Sequence, residues 1–246
     1  MDSERLNDDF RRNGYLLVRN ALPAELVMHC RSIIMQRLQS TGFLSDSLHI
    51  PFPIQSQHSS LYPIKTTTNP QLMDMQDWIS GNGVLMQLLE HPTLFELVRR
   101  IQDAESVATL PFKWLRAVGT GLYTGLHCDR VYLGRIDSNL LTIWIPIGRV
   151  DCQHGSMIVA AKSHNSKLWE SIRSTYGKSV VGSDGTNSGW LCLDPNDAIP
   201  HSINWVSADF NPGDVCVIGL DTMHLTATNL RHEWRLSCDT RWKSLK

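Results

Sequence analysis

The spacing of apolar residues changes near Val107, and this change most constrains the fold. Before it, apolar residues recur at helical intervals, and after it short runs alternate between apolar and polar residues. In the clearest run, 141–147, four aliphatic residues share one face and Thr142 and Trp144 share the other. We expect the aliphatic face to lie in a core between two sheets and the other face to line a cavity. The helices are expected at 3–12, 23–38, 83–90, 93–102 and 165–176, and an early strand at 15–18.

Composition favours one ordinary globular domain over 1–246, with a helical part at about 1–105 and a strand core at about 106–246. The 23 basic and 24 acidic residues leave a net charge of −1, which predicts neither a nucleic-acid nor a membrane partner. No apolar run is long enough to span a membrane. The six scattered cysteines and the lack of a secretory signal predict a reduced, cytoplasmic protein. The last residues read Ser-Leu-Lys rather than the peroxisomal Ser-Lys-Leu.

The segment His127-Cys128-Asp129 places an imidazole and a carboxylate two residues apart. On a strand these two side chains would share a face, although a lone His-x-Asp is more often a turn or a polar pair. His224 lies downstream, after a turn signal at 211–214 and an apolar run at 215–220. Two imidazoles and one carboxylate can hold non-haem Fe(II) and leave three coordination sites open. We therefore predict that His127, Asp129 and His224 are metal ligands and catalytic residues.

Arg235 follows in 234–239, a segment that alternates like a strand. An inward-facing arginine is unfavourable unless a carboxylate pairs with it, and the guanidinium fork suits a carboxylate better than lysine does. A dicarboxylic cosubstrate that chelates the metal at one end would supply that partner.

Through these four residues the chain resembles the phytanoyl-CoA dioxygenase family of Fe(II)/2-oxoglutarate-dependent oxygenases, over roughly 111–242. Trp144 and Thr226 fall at family positions that contact 2-oxoglutarate. The resemblance implies a mostly β fold with flanking helices: a double-stranded β-helix (jelly roll, cupin-like) core with an N-terminal helical buttress. It also implies Fe(II), 2-oxoglutarate and O₂, decarboxylation of 2-oxoglutarate to succinate, and oxidation, by default hydroxylation, of a C–H bond in a small organic metabolite.

The chain also departs from the family pattern. Many members carry a 2-oxoglutarate-contacting lysine ahead of the helices at 83–102, but the nearest lysine upstream here is Lys65. The usual Pro-Gly-Ser-His reads Ala-Lys-Ser-His at 161–164, and we expect His154 and His164 to be structural. Asp129 argues against halogenation, because related halogenases have a non-ligating residue at that position.

The substrate contacts are less well defined by the sequence. Trp114 and Arg116 would share one strand face and could line the pocket, and Arg130 could meet a polar substrate, unless it lies in a solvated loop. The segment 41–70 either closes over the active site or is a surface loop, and the insertion 177–203 could carry substrate specificity. The sequence does not indicate an oligomeric state.

Other functions remain open. One is an iron-dependent oxidase that performs desaturation or oxidative cyclisation in a specialised biosynthetic pathway. A second is a metal-dependent hydrolase or isomerase that uses the same triad, and a third is a non-catalytic sandwich. Arg235 disfavours the hydrolase, which needs no buried anchor for a second carboxylate. The lack of a conspicuous basic patch favours a small free metabolite over an acyl-CoA substrate.

Overall fold

The computed structural model describes residues 3–40, 75–134, 136–137, 139–181, 189–194 and 203–245. The helices are α1 (Ser3–Asn13), α2 (Ala24–Ser40), α3 (Gln76–Gly81), α4 (Gly83–Leu89), α5 (Pro92–Gln102), α6 (Arg130–Leu133) and α7 (Glu170–Ser174). The strands are β1 (Tyr15–Val18), β2 (Ser106–Thr109), β3 (Trp114–Val118), β4 (Leu141–Pro146), β5 (Met157–Ala160), β6 (Trp205–Ser207), β7 (Val215–Gly219), β8 (His224–Thr226) and β9 (Arg235–Leu245).

The strands form two antiparallel sheets. The larger sheet has the order β1-β7-β4-β9-β2, and β3 also pairs with β9. The smaller sheet has the order β6-β5-β8. This mostly antiparallel, two-sheet arrangement with flanking helices confirms the predicted jelly-roll fold. β1, which lies among the N-terminal helices in sequence, extends the larger sheet at its β7 edge.

The aliphatic face of β4 does not lie between the two sheets, so that part of the prediction is wrong. Ile143 and Ile145 belong to the core that also contains Val27 and Ile34 of α2 and Leu88 of α4. β4 is central in the larger sheet, and helices cover one of its faces while the smaller sheet covers the other. Both faces are therefore buried, and alternation alone does not show which neighbour each face meets.

The opposite face of β4 contributes to the layer between the sheets. The Trp144 ring packs edge-on against Phe210, with a centroid separation of 4.9 Å. Met157 and Val159 of the smaller sheet join the same cluster. The inter-sheet layer is thus apolar at one end and leaves room for polar side chains farther along β4.

The helix predictions are mostly confirmed. His91 caps α5: its ring accepts a hydrogen bond from the Thr93 amide at 3.3 Å, and Pro92 takes the first helical position. The segment expected to be helical from 165 contains a 3₁₀ turn at Lys167–Trp169 before α7, and Ser166 caps it. The loop prediction for 41–70 lies outside the described residues, as does much of 177–203. None of the helices in the described ranges is long and apolar enough to cross a membrane.

Candidate metal centre

His127 and His224 face each other across an antiparallel bridge that joins the chain before α6 to β8. The His127 amide donates to the His224 carbonyl at 3.0 Å, and the His224 amide donates to the His127 carbonyl at 2.8 Å. Asp129 does not continue a strand: its φ of −68° and ψ of −18° are helical, and it immediately precedes α6. The expectation that His127 and Asp129 share a strand face is therefore wrong. A turn into a helix brings the carboxylate beside the imidazole.

The three side chains converge in the interior. Their candidate ligand atoms all lie within 4.8 Å of one another, and all three residues are buried. His127 Nε2 lies 3.9 Å from Asp129 Oδ1, and the two imidazole centroids are 4.2 Å apart. Two imidazole nitrogens and a carboxylate oxygen at this separation form a set that can hold one metal ion.

Each imidazole is held through Nδ1 by a nearby backbone carbonyl. His127 Nδ1 lies 2.8 Å from the Gly125 oxygen, and His224 Nδ1 lies 2.9 Å from the Thr222 oxygen. Because a carbonyl oxygen only accepts, Nδ1 carries the hydrogen in both rings. The Nε2 lone pairs are therefore directed towards the metal position, as metal-bound histidines require.

Electrostatics favour the same ligand state. Burial lowers the pKa of His127 to about 3, and the neighbouring His224 adds to the effect. Burial alone would raise the pKa of Asp129, but the charge of Arg241, the two imidazoles and a hydrogen bond from Thr142 hold it below its usual range. At neutral pH His127 is neutral and Asp129 is ionised, which is the state that metal binding needs.

The triad opens into a cavity between the two sheets. Thr142 and Trp144 line it, which confirms the predicted role of that face of β4. The full lining consists of Arg116, Thr124, His127, Asp129, Thr142, Trp144, Met157, Ile218, His224, Thr226, Arg235, Asp239 and Arg241.

Arg235 is fully buried in this cavity. Its Nη1 donates to Ser237 Oγ at 2.6 Å, and its Cζ lies 5.8 Å from the centroid of the Trp144 ring. Its Nε and Nη2 have no hydrogen-bond partner within the described part of the chain. Burial and the charge of Arg116 lower the pKa of Arg235 to about 10, so it is protonated at neutral pH. A buried cation with two open donors fits an incoming carboxylate.

Gly155 lies beside this guanidinium. A Cβ atom at Gly155 would lie 3.5 Å from Arg235 Nε and 3.2 Å from the Ala227 oxygen, and the φ of +77° disfavours other residues. Thr226 lies nearby in the cavity lining, and its hydroxyl accepts the Thr124 amide hydrogen at 2.8 Å. The Thr226 hydroxyl hydrogen is thus left to donate to another group.

Of the three predicted substrate residues, Arg116 lines the cavity, and Trp114 and Arg130 do not. Arg116 lines the cavity and donates from Nε to Asp239 at 2.8 Å. Trp114 is outside the cavity lining and packs against Phe112, with ring centroids 4.6 Å apart. Arg130 is also outside it and pairs with Asp221.

The two histidines expected to be structural are also away from the cavity lining. His154 lies within hydrogen-bond distance of the Arg149 and Glu233 carbonyl oxygens, and His164 of the Arg11 carbonyl oxygen. These backbone contacts agree with a structural role for both side chains.

Sequence reasoning missed Asp239 and Arg241, which both line the cavity. They follow Arg235 and Ser237 at two-residue intervals on β9, and alternation places all four on one face. The predicted strand ended at Asp239, whereas β9 continues to Leu245. Extending the alternation by one step would have found Arg241.

A sequence model of the phytanoyl-CoA dioxygenase family matches residues 10–237. The chain belongs to this family. It is accordingly an Fe(II)/2-oxoglutarate-dependent enzyme of the dioxygenase type, with Fe(II), 2-oxoglutarate and O₂ as its cofactor and cosubstrates. No curated protein matches the chain significantly in sequence.

Solved structures share the fold. The non-haem α-ketoglutarate-dependent carbocyclase SnoK from nogalamycin biosynthesis superposes with a TM-score of 0.66 at 17% identity, covering 99% of this chain and 84% of SnoK. The epimerase SnoN from the same biosynthesis gives 0.63 at 18%, covering 98% and 83%. EctD from S. alaskensis with 2-oxoglutarate and 5-hydroxyectoine gives 0.62 at 15%, covering 99% and 76%. At these identities the likeness establishes the jelly-roll architecture.

Proposed function

We propose that this family member hydroxylates a C–H bond of a small organic metabolite and decarboxylates 2-oxoglutarate to succinate as it does so. The observation that carries the proposal is the pair of donors on buried Arg235 that have no partner among the described residues, in the same cavity as the triad. A metal site alone serves many reactions. A metal site that shares a cavity with a guanidinium group whose donors lack partners among the described residues is suited to a dicarboxylic cosubstrate.

Different residues of the cavity bind the iron and the cosubstrate. His127, Asp129 and His224 hold the iron through Nε2, a carboxylate oxygen and Nε2. Arg235 binds the far carboxylate of 2-oxoglutarate, the Trp144 ring supports the guanidinium, and Thr226 donates its hydroxyl hydrogen to the same cosubstrate. When bound, iron and 2-oxoglutarate together turn O₂ into an oxidant for a C–H bond.

The metal site is shielded from solvent. The triad residues are between 3% and 5% exposed, and apolar Met157 and Ile218 complete the wall of the cavity. Bulk water is thereby kept away from the reacting centre. The net charge of −1, without a conspicuous basic patch, supports a small free metabolite rather than an acyl-CoA.

The outcome varies on this fold, because the similar structures include an epimerase, a carbocyclase and a complex with 5-hydroxyectoine. Desaturation or cyclisation in a biosynthetic pathway is therefore the second candidate for this chain. Asp129 disfavours halogenation, because its carboxylate takes the position that a halide would need. A hydrolase or isomerase is disfavoured because it would leave Arg235 without a partner.

The decisive experiment is an anaerobic titration. Fe(II) is added to the metal-free protein, 2-oxoglutarate follows, and the visible charge-transfer absorption of the chelate is recorded. We expect a saturable band that His224→Ala abolishes. His164→Ala is the matched control, because it removes an imidazole that is outside the cavity lining and should keep the band.

The other outcomes are equally informative. Iron binding without the band in the wild-type protein would contradict the 2-oxoglutarate assignment and favour the hydrolase or isomerase. A band that persists in His224→Ala would show that another residue is the third ligand. With O₂ admitted, hydroxylation predicts a product about 16 mass units heavier than its substrate, because one oxygen atom is added. Desaturation or cyclisation predicts a product about two mass units lighter, because two hydrogen atoms are removed.

A further inference from the structure

Arg241 is a second buried arginine in the cavity, and it lacks a full set of partners. It is 5% exposed, lies on β9 opposite Thr142, and lines the cavity beside the triad. Its Nη2 is 3.6 Å from Asp129 Oδ1 and 3.6 Å from Asp239 Oδ2. Its Nε and Nη1 have no hydrogen-bond partner among the residues that the structure describes. Buried donors without acceptors are strongly unfavourable, so such a group indicates a ligand that arrives from outside.

The charges around the cavity point to an anionic ligand. Arg116, Arg235 and Arg241 face two carboxylates, Asp129 and Asp239, which leaves one positive charge. Fe(II) and 2-oxoglutarate bring two positive and two negative charges, so they leave this excess unchanged. A buried excess charge is costly unless an opposite charge accompanies it.

The excess is located at Arg241. Arg116 already has Asp239 at 2.8 Å; burial would lower its pKa, but the charge and hydrogen bond of Asp239, together with the charge of Asp129, keep it above the usual value. Arg235 is assigned to the far carboxylate of 2-oxoglutarate, whose other end chelates the metal. The cosubstrate then has no third charged group for Arg241. The remaining reactant that can supply one is the substrate.

We infer that Arg241 binds a carboxylate group of the primary substrate, so that the enzyme oxidises a small organic acid. This inference rests on the proposed function, because it assigns Arg235 to the cosubstrate. Arg241 approaches Asp129, so an acid held by Arg241 places its adjacent carbons beside the metal position. A single excess charge matches one carboxylate and is too small for the several phosphate charges of a CoA thioester.

The test compares acids with their own amides. The wild-type protein, loaded anaerobically with Fe(II) and 2-oxoglutarate, is titrated with phenylacetate, 3-phenylpropionate and hexanoate, and separately with the primary amide of each. Binding is read from the shift of the charge-transfer band and from tryptophan fluorescence. At least one acid should bind about tenfold or more tightly than its amide, since a charge-assisted hydrogen bond is lost in the amide.

Variants locate the effect. Arg241→Met should remove the preference for the acid while the dissociation constant of 2-oxoglutarate stays within about threefold of wild type. Arg241→Lys keeps the charge and should retain part of the preference. Arg149→Met is the control, because Arg149 is solvent-exposed and outside the cavity lining, and it should behave as wild type.

Three results would overturn the inference. In the first, no acid binds better than its amide in the wild-type protein, a comparison that does not depend on the folding of any variant. In the second, Arg241→Met keeps the preference. In the third, Arg241→Met weakens 2-oxoglutarate binding as much as loss of Arg235 does, which would assign Arg241 to the chelating end of the cosubstrate. Absence of the charge-transfer band in the wild-type protein would instead refute the proposed function itself, and the inference with it.

Discussion

Replacing Arg235 with leucine tests the cosubstrate assignment most directly. The wild-type guanidinium is fully buried, has one donor engaged by Ser237 and has two without partners in the described structure. If a carboxylate accepts both, each charge-assisted bond contributes about 1.5–3 kcal/mol. Taking the lower figure for both gives about 3 kcal/mol, and about 1.4 kcal/mol corresponds to tenfold in affinity. We therefore expect Arg235→Leu to raise the dissociation constant of 2-oxoglutarate about 100-fold.

The assay is the anaerobic titration of the charge-transfer band, with iron content measured separately. Arg235→Leu should still bind iron, because Arg235 is not a member of the triad. Arg235→Lys keeps the charge but loses the planar fork, so its affinity should fall between those of wild type and Arg235→Leu. Ser237→Ala removes one hydrogen bond to the guanidinium and should weaken binding by about tenfold or less.

Two results would refute this reasoning. The first is an Arg235→Leu protein that binds 2-oxoglutarate within about threefold of wild type, since the donors would then not face the cosubstrate. The second is loss of iron together with loss of 2-oxoglutarate, which would mean that Arg235 holds the fold.

Other perturbations follow from the same geometry. Thr142→Val removes the hydroxyl that donates to Asp129 and should lower iron affinity about 10- to 100-fold, measured by equilibrium dialysis. Trp144→Leu removes the ring beneath Arg235 and should raise the 2-oxoglutarate dissociation constant about three- to tenfold in the spectral titration. The folded pKa of His127, about 3, lies below its ordinary 6.5, so the unfolded chain binds more protons between these values. The metal-free protein should lose roughly 2 kcal/mol of stability through this group between pH 7 and pH 5, a loss that urea unfolding would find reduced in His127→Gln.

The sequence predicts the strand-rich core and the triad because both depend on local signals. Alternation marks 141–147 as a strand, and His127, Asp129 and His224 combine residue types that suit one metal. These features depend on the order and type of residues along the chain, and both can be read directly from the sequence.

The sequence of a strand does not show which element packs against each of its faces. Ile143 and Ile145 meet helices from the first hundred residues, and no periodicity within 141–147 records that. Asp129 reaches His127 through a helical turn, yet a two-residue spacing suits a strand equally well. Arg241 was missed because the predicted strand ended at Asp239, whereas β9 continues to Leu245.

The bridge between His127 and His224 has a consequence for the protein before any substrate arrives. Two backbone hydrogen bonds join segments that are far apart in the chain, and the proposed ligands project from that joint. An ion that binds only the folded chain therefore acts as a removable crosslink between the smaller sheet and the segment before α6. Amide hydrogens at the two histidines should exchange more slowly in the iron-loaded protein. We therefore expect the lifetime of the folded chain in a cell to depend on iron supply, because a metal-poor form that opens more often is cleaved sooner by proteases.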